Sequence, residues 1–253
     1  MGDESDALPA VKELLGHPNK YVQGRAVYLL PFLGDEGVGI ARGMLDHKES
    51  QFRILAMRAL RNAGVDSLEL ACVLASDSDV SVRREVAVAL RDTDPQQKRP
   101  FAVELLKSYQ GDRTYLEACG FAAEGIESEV QNDLLASAKS SDSLSWTPEF
   151  ARITGRLKVV DAIPHLQKRG ASSSLSDPDR LLAVDSLAFI DSAQSVPAMV
   201  ALAKVPGPVG VSASQWLIHL SNTRWSEFGV QDILDLPCRA GLRTRARRIS
   251  FAR

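Results

Sequence analysis

The sequence predicts an all-α fold, an α-solenoid of about six stacked helical hairpins. The first observation is a repeat with a spacing of 30 residues, in which 21–30, 51–60 and 81–90 read YVQGRAVYLL, QFRILAMRAL and SVRREVAVAL. The second is composition. Aromatic residues make up only 6% of the chain, while alanine, leucine and valine are abundant, which favours closely packed helices over a β-sandwich.

Each repeat places its apolar residues on one face of a helix. Their spacing is i, i+4, i+7 and i+8, and alanine at some of these positions lets a neighbouring helix approach closely. The pattern continues more weakly in 113–122, 178–187 and 211–220. The apolar positions of the first three copies are Val22, Ala26, Leu29 and Leu30, then Phe52, Ala56, Ala59 and Leu60, then Val82, Val86, Ala89 and Leu90.

Shorter amphipathic segments lie between the repeat helices, and polar breakers such as GHPNK and SDSD follow them. One short helix and one repeat helix form a hairpin that cannot bury both apolar faces alone, so the hairpins are expected to stack. A loop at 169–180 ends in a predicted helix start, with Ser176 or Asp177 as the cap and Pro178 in the first turn. The shorter helices are predicted within 6–16, 36–45, 67–75 and 99–109, and a further helix within 128–139.

The segment 77–90, DSDVSVRREVAVAL, closely resembles the signature of HEAT repeats, in which an Asp-containing turn precedes Val-Arg and a stripe of alanine and leucine. The T-P-L-H turn of ankyrin repeats and the W-x-x-L-G helix of tetratricopeptide repeats do not occur in the sequence. The 30-residue period resembles the compact HEAT-like repeats of bilin lyases and many bacterial proteins. The resemblance implies an armadillo-like superhelix, and it is closer over 5–125 than over 147–221.

Two segments resemble the HEAT array of large planctomycete-type dehydrogenase/cytochrome proteins. These are DRTYLEACGFAAEG (112–125) and QWLIHLSNTRWSEFGV (215–230). In that family the array lies between a β-propeller and a cytochrome, which implies an accessory role in a redox assembly as one alternative function. The sequence lacks the propeller, and Cys238 is not part of a C-x-x-C-H haem attachment motif, so covalent haem is not implied.

The predicted organisation has four parts: HEAT-like repeats over 1–139, a Ser-rich surface connection over 140–146, degenerate HEAT-like repeats over 147–236 and an Arg-rich tail over 237–253. The two repeat blocks are expected to form one continuous superhelix. The start of the chain, MGDESDALPA, is acidic and polar, which is unlike a signal peptide and favours a cytoplasmic protein. If the chain follows the planctomycete family, a periplasmic location is expected instead.

The sequence lacks recognisable catalytic motifs, which predicts a non-enzymatic protein without cofactors or metals. No nucleophile elbow, phosphate-binding Walker loop or C-x-x-C pair occurs in the sequence. His17 and His47 lie 30 residues apart at equivalent loop positions, too far apart after stacking to share a metal ion, and are expected to be solvated. His219 is expected to be a core histidine, and Cys72 and Cys119 buried thiols.

The arginines of the repeat helices have two interpretations. Arg53 and Arg83 occupy the position at which HEAT families hold an arginine facing an aspartate of the adjacent turn, which predicts a structural ladder of ion pairs. Second helices of such hairpins commonly line a concave face. Tyr28, Arg58 and Arg84 are therefore the candidates for a binding surface.

The tail holds the remaining functional signal, because 238–253 has six arginines and no acidic residue, whereas the whole chain has a net charge of −2. The repeats mix arginine with acidic residues, which argues against a nucleic-acid-binding protein. We therefore expect a scaffold or adaptor that binds protein partners, with a bilin-lyase-like protein or a nucleic-acid-binding HEAT protein as further alternatives. The tail residues that could bind a partner are Arg239, Arg243, Arg245, Arg247 and Arg248.

Overall fold

The computed structural model describes residues 7–138 and 142–235, and all the regular secondary structure within those two ranges is helical. The chain divides into two compact units, Met1–Ile126 and Glu127–Arg253. The helices of the first unit are α1 (Leu8–Leu14), α2 (Lys20–Leu29), α3 (Gly34–Gly43), α4 (Ser50–Asn62), α5 (Ser67–Leu74), α6 (Val80–Ala89), α7 (Pro95–Lys107) and α8 (Arg113–Ala122).

In the first unit, helices pair in the order of the chain. Helix α1 packs on α2, α3 on α4, α5 on α6 and α7 on α8. The second member of each pair also packs on the second member of the next, so that α2 contacts α4, α4 contacts α6 and α6 contacts α8. The apolar stripe predicted from the 30-residue repeat was wrong at Leu29, which is 48% exposed because α2 turns it toward solvent and buries Ala26 and Leu30. Most of the other stripe positions lie in these contacts, since Ala26, Ala56 and Val86 are all buried. Their small side chains permit close approach of the helices.

The second unit contains seven described α-helices. Helix α10 packs on α12, and α12 packs on α14. Helix α11 packs on α12 and on α13, and α13 packs on both α12 and α14. The bounds are α9 (Glu127–Ser137), α10 (Pro148–Leu157), α11 (Ile163–Ala171), α12 (Asp177–Ala188), α13 (Ser195–Leu202), α14 (Pro208–Ser221) and α15 (Val230–Asp235). The sequence grouped the helix at 128–139 with the first block, whereas the contacts assign α9 to the second unit.

Side-chain caps explain why the repeat helices begin where they do. Asn19, Asp79 and Asp112 precede α2, α6 and α8, and each side chain accepts a hydrogen bond from a backbone N–H of the first helical turn. Such a cap satisfies one of the N–H groups that a helix start leaves without a partner. Ser176 caps α12 in the same way and Pro178 lies in its first turn, as the sequence predicts.

Several local expectations were wrong. Cys72 is exposed, because α5 buries Leu70, Ala71 and Leu74 and turns the cysteine outward, whereas Cys119 is buried as expected. His219 is exposed, because α14 buries Leu217 and Leu220 instead.

The Ser-rich connection is not simply a surface loop. Ser143 is buried, and so is Trp146, because the side chain of Arg169 from α11 hydrogen-bonds to both of their carbonyl groups. Helix α7 begins at Pro95, four residues before the predicted segment, because Asp94 caps it. Of the chain as described, no helix is both long and apolar enough to cross a membrane.

Candidate functional site

The three predicted surface residues lie on three neighbouring repeat helices. Tyr28 is on α2, Arg58 on α4 and Arg84 on α6, and all three side chains are exposed. Two are engaged by neighbours: the hydroxyl of Tyr28 accepts a hydrogen bond from the amide of Asn62, and Arg58 forms a two-pronged ion pair with Glu85, at 2.9 and 2.6 Å. Arg84 forms no ion pair within the described ranges.

A groove between α2 and α4 gives this surface its shape. Its volume is about 810 Å³, which lies within the range of binding pockets, ~300–1,000 Å³. Of the predicted residues, Tyr28 lines the groove, whereas Arg58 and Arg84 lie outside its lining. The lining residues are Lys20, Tyr21, Gly24, Arg25, Tyr28 and Leu29 on α2, and Gln51, Phe52 and Leu55 on α4.

The groove is shaped by a glycine on the side of α2 that faces α4, where Gly24 is buried next to the groove. In the 30-residue register, Gly24 corresponds to Ile54 on α4 and to Arg84 on α6, both of which have large side chains. A Cβ atom at Gly24 would lie 3.1 Å from the tip of Leu55. Without that side chain, Leu55 and Phe52 form an apolar floor between the two helices.

Aromatic and aliphatic side chains stand at the rim of the groove. Tyr21 is 86% exposed and Leu29 is 48% exposed, values that are large for apolar side chains on one short helix. Tyr28 contacts Phe32 at the end of α2, with ring centroids 6.5 Å apart. Single exposed apolar residues are ordinary on a protein surface, whereas a contiguous patch indicates an interaction site.

The charges that line the groove are positive. Lys20 and Arg25 lie there together, and none of the described residues that line the groove carries a carboxylate. Lys20 is paired with Glu49 at 2.5 Å, and this hydrogen bond lowers the pKa of the Glu49 carboxyl below its usual range. Arg25 has no ion-pair partner among the described residues, so its guanidinium is available to an acidic ligand.

The loop residues that precede the repeat helices are structural. His17, His47 and Asp77 are equivalent in the repeat, and each side chain accepts the backbone N–H two residues later. The two histidines are half-buried by this turn, so they are less solvated than expected. Within the described part of the chain, no group of three His, Cys, Asp or Glu residues could hold a metal ion.

Arg53 joins two repeats, as the predicted ladder requires. Its Nε and one terminal nitrogen donate to the two carboxylate oxygens of Asp77, each at 2.7 Å, while the other terminal nitrogen donates to the carbonyl of His47. Arg83 makes the equivalent carbonyl contact with Asp77, but its Nε is buried without a partner and its guanidinium lies over the ring of Tyr115. The ladder therefore has one ion pair at these two positions.

A buried arginine in the second unit was not predicted from the sequence. Arg169 is 1% exposed, and burial lowers the pKa of its guanidinium. It donates to the carbonyl of Ser143 at 2.5 Å and lies against the ring of Trp146. These contacts fix the segment before α10 against α11, so the residue is structural.

The groove itself was only partly visible in the sequence. Tyr21, Arg25 and Leu55 were missed, although Gly24 provided a signal, because glycine replaces a large residue at one position of an aligned repeat. The five tail arginines, Arg239, Arg243, Arg245, Arg247 and Arg248, lie outside the described residues.

Comparison with known proteins adds little. A scan against protein-family models finds no match, and neither does a search of curated proteins. Among solved structures, a crystal structure described as an engineered protein is similar over 97% of this chain and 95% of its own, with 17% sequence identity and a TM-score of 0.36. That similarity is too weak to carry an argument about fold or function.

Proposed function

We propose that this chain is an α-solenoid of HEAT-like repeats that acts as a non-catalytic scaffold or adaptor and binds a protein partner in the groove between α2 and α4. The single observation that carries the proposal is the groove itself. It is apolar, open to solvent and about 810 Å³ in volume, and Tyr21 stands exposed at its rim.

The packing within the first unit supports the repeat interpretation. Helices α2, α4, α6 and α8 contact one another in sequence, so their exposed faces form one surface made of equivalent positions. Repeat proteins bind partners on such extended surfaces. The residues that carry binding energy in protein interfaces are enriched in tyrosine, tryptophan and arginine, and Tyr21, Tyr28 and Arg25 are of these types.

Site-specific photo-cross-linking tests this proposal. The photoreactive residue p-benzoylphenylalanine replaces Tyr21 at the rim of the groove or, as a control, Val73 on α5, which is 59% exposed and does not line the groove. We expect one defined protein, identified by mass spectrometry, to cross-link from position 21 and not from position 73. Its purified form should then bind the wild-type chain.

A pair of glycine substitutions completes the test. Gly24→Leu places a side chain in the groove and requires the tip of Leu55, 3.1 Å from the new Cβ, to move, whereas Gly39→Leu adds leucine at an exposed site on α3 where an added Cβ meets no atom within 4 Å. Thermal melting checks that both variants fold. The proposal expects the cross-link to disappear with Gly24→Leu and to persist with Gly39→Leu. Equal cross-linking from positions 21 and 73, or a cross-link that survives Gly24→Leu, would overturn it.

A further inference from the structure

We propose that the occupant of the groove is a short amphipathic helix of the partner protein, with an apolar face on Phe52 and Leu55 and a carboxylate paired with Arg25. This inference rests on the proposed function and adds the chemistry of the ligand. Docking of a helix into an apolar groove is a recurring mode of peptide recognition, in which side chains spaced at i, i+3, i+4 and i+7 act as anchors.

The dimensions of the groove match such a segment. Tyr21 and Tyr28 line it seven residues apart on α2, which corresponds to about 10 Å along a helix axis. Two turns of a docked helix cover the same distance and present three or four side chains on one face. Gly24 lies midway between Tyr21 and Tyr28, and because it has no side chain the tip of Leu55 comes within 3.1 Å of the Cβ position and offers its apolar surface to a central anchor.

The floor of the groove requires apolar anchors. Phe52 is buried and Leu55 is half-buried, and the polar atoms of the neighbouring Lys20 are already directed to Glu49. A polar anchor placed directly against the side chains of Phe52 and Leu55 would lose its hydration where neither offers a polar atom, which costs about 1–3 kcal/mol per group. Leucine, isoleucine, phenylalanine or methionine anchors avoid this cost.

The charge of the groove selects an acidic partner. Arg25 is unpaired among the described residues, and a guanidinium presents a planar fork of donors that fits a carboxylate. A basic peptide would place its charges against Lys20 and Arg25, and the lining as described has no carboxylate to accept them. A glutamate or aspartate one turn from the central anchor reaches Arg25, which is one residue after Gly24.

A nucleic acid fits this surface less well than a peptide does. Its phosphates need a row of cations, whereas the neighbouring arginine, Arg58, is occupied by Glu85, whose side chain is only 15% exposed. The described lining of the groove therefore presents the unpaired Arg25 and the paired Lys20 next to an apolar floor, and not a basic track. An acidic, apolar peptide satisfies both features.

The test is a selection from a display library of random peptides of about 12 residues against the full-length protein. We expect the enriched peptides to carry aspartate or glutamate and to repeat large apolar residues at i, i+3 or i+4, and i+7. Their affinity for Gly24→Leu should fall by more than about tenfold, whereas Gly39→Leu should bind them as the wild type does. Thermal melting of both variants verifies that they fold.

A charge reversal provides a second variant that leaves the groove open. Arg25→Glu should weaken the acidic peptides by about tenfold or more, and Arg113→Glu, the same change at an exposed position on α8 that does not line the groove, should have little effect. Both variants change the net charge equally. A long-range electrostatic effect would therefore weaken binding in both, and that result would contradict a contact with Arg25.

The outcomes separate this inference from the proposed function. Enriched peptides that are neutral or basic, and whose binding is lost in Gly24→Leu, would overturn the inference that the ligand is acidic. The groove would still be a binding site. If no enriched peptide loses affinity in Gly24→Leu, the inference of an acidic amphipathic helix is overturned. The cross-linking from position 21 tests separately whether the groove binds a protein partner. Binding of a fluorescent single-stranded oligonucleotide that is lost in Arg25→Glu would also overturn the inference, in favour of a nucleic-acid ligand.

Discussion

The ion pair between Arg53 and Asp77 is predicted to stabilise the contact between two repeats, and Arg83 provides a matched comparison. In both arginines a terminal nitrogen donates hydrogen bonds to two carbonyl oxygens of the loop that precedes the arginine's own helix. The donor–acceptor distances are 2.7 and 3.3 Å for Arg53 and 2.6 and 3.1 Å for Arg83. Substitution by methionine removes these bonds at either position and keeps most of the apolar stem.

The difference between the two substitutions isolates the contact across the repeats. Arg53→Met also removes two N–H···O bonds to a carboxylate whose side chain is 8% exposed, a loss of about 1.5–3 kcal/mol. Arg83→Met also removes a contact with the ring of Tyr115, worth about 0.5–1 kcal/mol. We therefore expect Arg53→Met to cost about 1–2 kcal/mol more than Arg83→Met.

Hydrogen exchange of backbone amides is the suitable assay. All three tryptophans, Trp146, Trp216 and Trp225, lie in the second unit, so their fluorescence does not report on these repeats directly. In peptides from α4 and α6, the expected difference corresponds to amide opening that is about 5- to 30-fold more frequent in Arg53→Met than in Arg83→Met.

Equal opening in the two variants would refute this reasoning, because it would mean that the carboxylate of Asp77 adds nothing to the contact between the repeats. Asp77→Asn provides a check from the other side of the pair. It keeps an oxygen that can accept the N–H of Asp79, and it should produce most of the extra loss seen in Arg53→Met.

Three further predictions concern other parts of the chain. Gly24→Ala should stabilise α2 by about 0.5–1 kcal/mol in chemical denaturation, because alanine favours a helix and the flexible tip of Leu55 can move aside; destabilisation would show that Leu55 is held rigidly. Hydrogen bonds from Ser50 and from the N–H of Ser81 lower the pKa of the Asp79 carboxyl. The ionised carboxylate therefore stabilises the folded state above the ordinary carboxyl pKa of about 4, and this stabilisation is lost as the pH falls through the lowered pKa. Asp79→Asn, which keeps a capping oxygen, should therefore reduce the slope of stability against pH below about 4, and an unchanged slope would contradict this. Arg169→Met should destabilise the second unit by about 2–3 kcal/mol in urea unfolding followed by tryptophan fluorescence, because it leaves the carbonyl of Ser143 without its donor, and a neutral effect would mean that the segment repacks.

The sequence predicts the repeat helices well because their signals are local. The apolar period determines which face is buried, and Asn19, Asp79 and Asp112 mark the starts of their helices. These signals depend on residues within one turn of each other, so no knowledge of the tertiary contacts is needed.

The exposure of single residues was harder to predict. Cys72 and His219 lie beside apolar residues in the sequence, yet each is turned outward by the packing partners of its helix. Ser143 lies in a Ser-rich segment that is typical of a surface loop, and it is buried only because Arg169 reaches it from 26 residues away. Such contacts between distant residues leave no periodic signal.

The candidate site was likewise predictable from the sequence only where its signal is local. Tyr28 was found because it lies on the second helix of a predicted hairpin, the helix that commonly lines a binding face in repeat proteins. The groove was missed because it depends on an absent side chain, at Gly24, and on the distance between α2 and α4. An aligned repeat reveals where a large residue is missing, but only the structure shows that Leu55 approaches this position and that a groove remains beside it.

The most direct test of the central claim is hydrogen exchange of the full-length protein with and without the partner identified by cross-linking from Tyr21. Binding in the groove predicts that added protection from exchange is strongest in α2 and α4, over 20–29 and 50–62. Gly24→Leu should abolish this protection, and Gly39→Leu should retain it. Protection confined to α5 and α7, or to helices of the second unit, would contradict the claim that the groove is where this protein binds its partner.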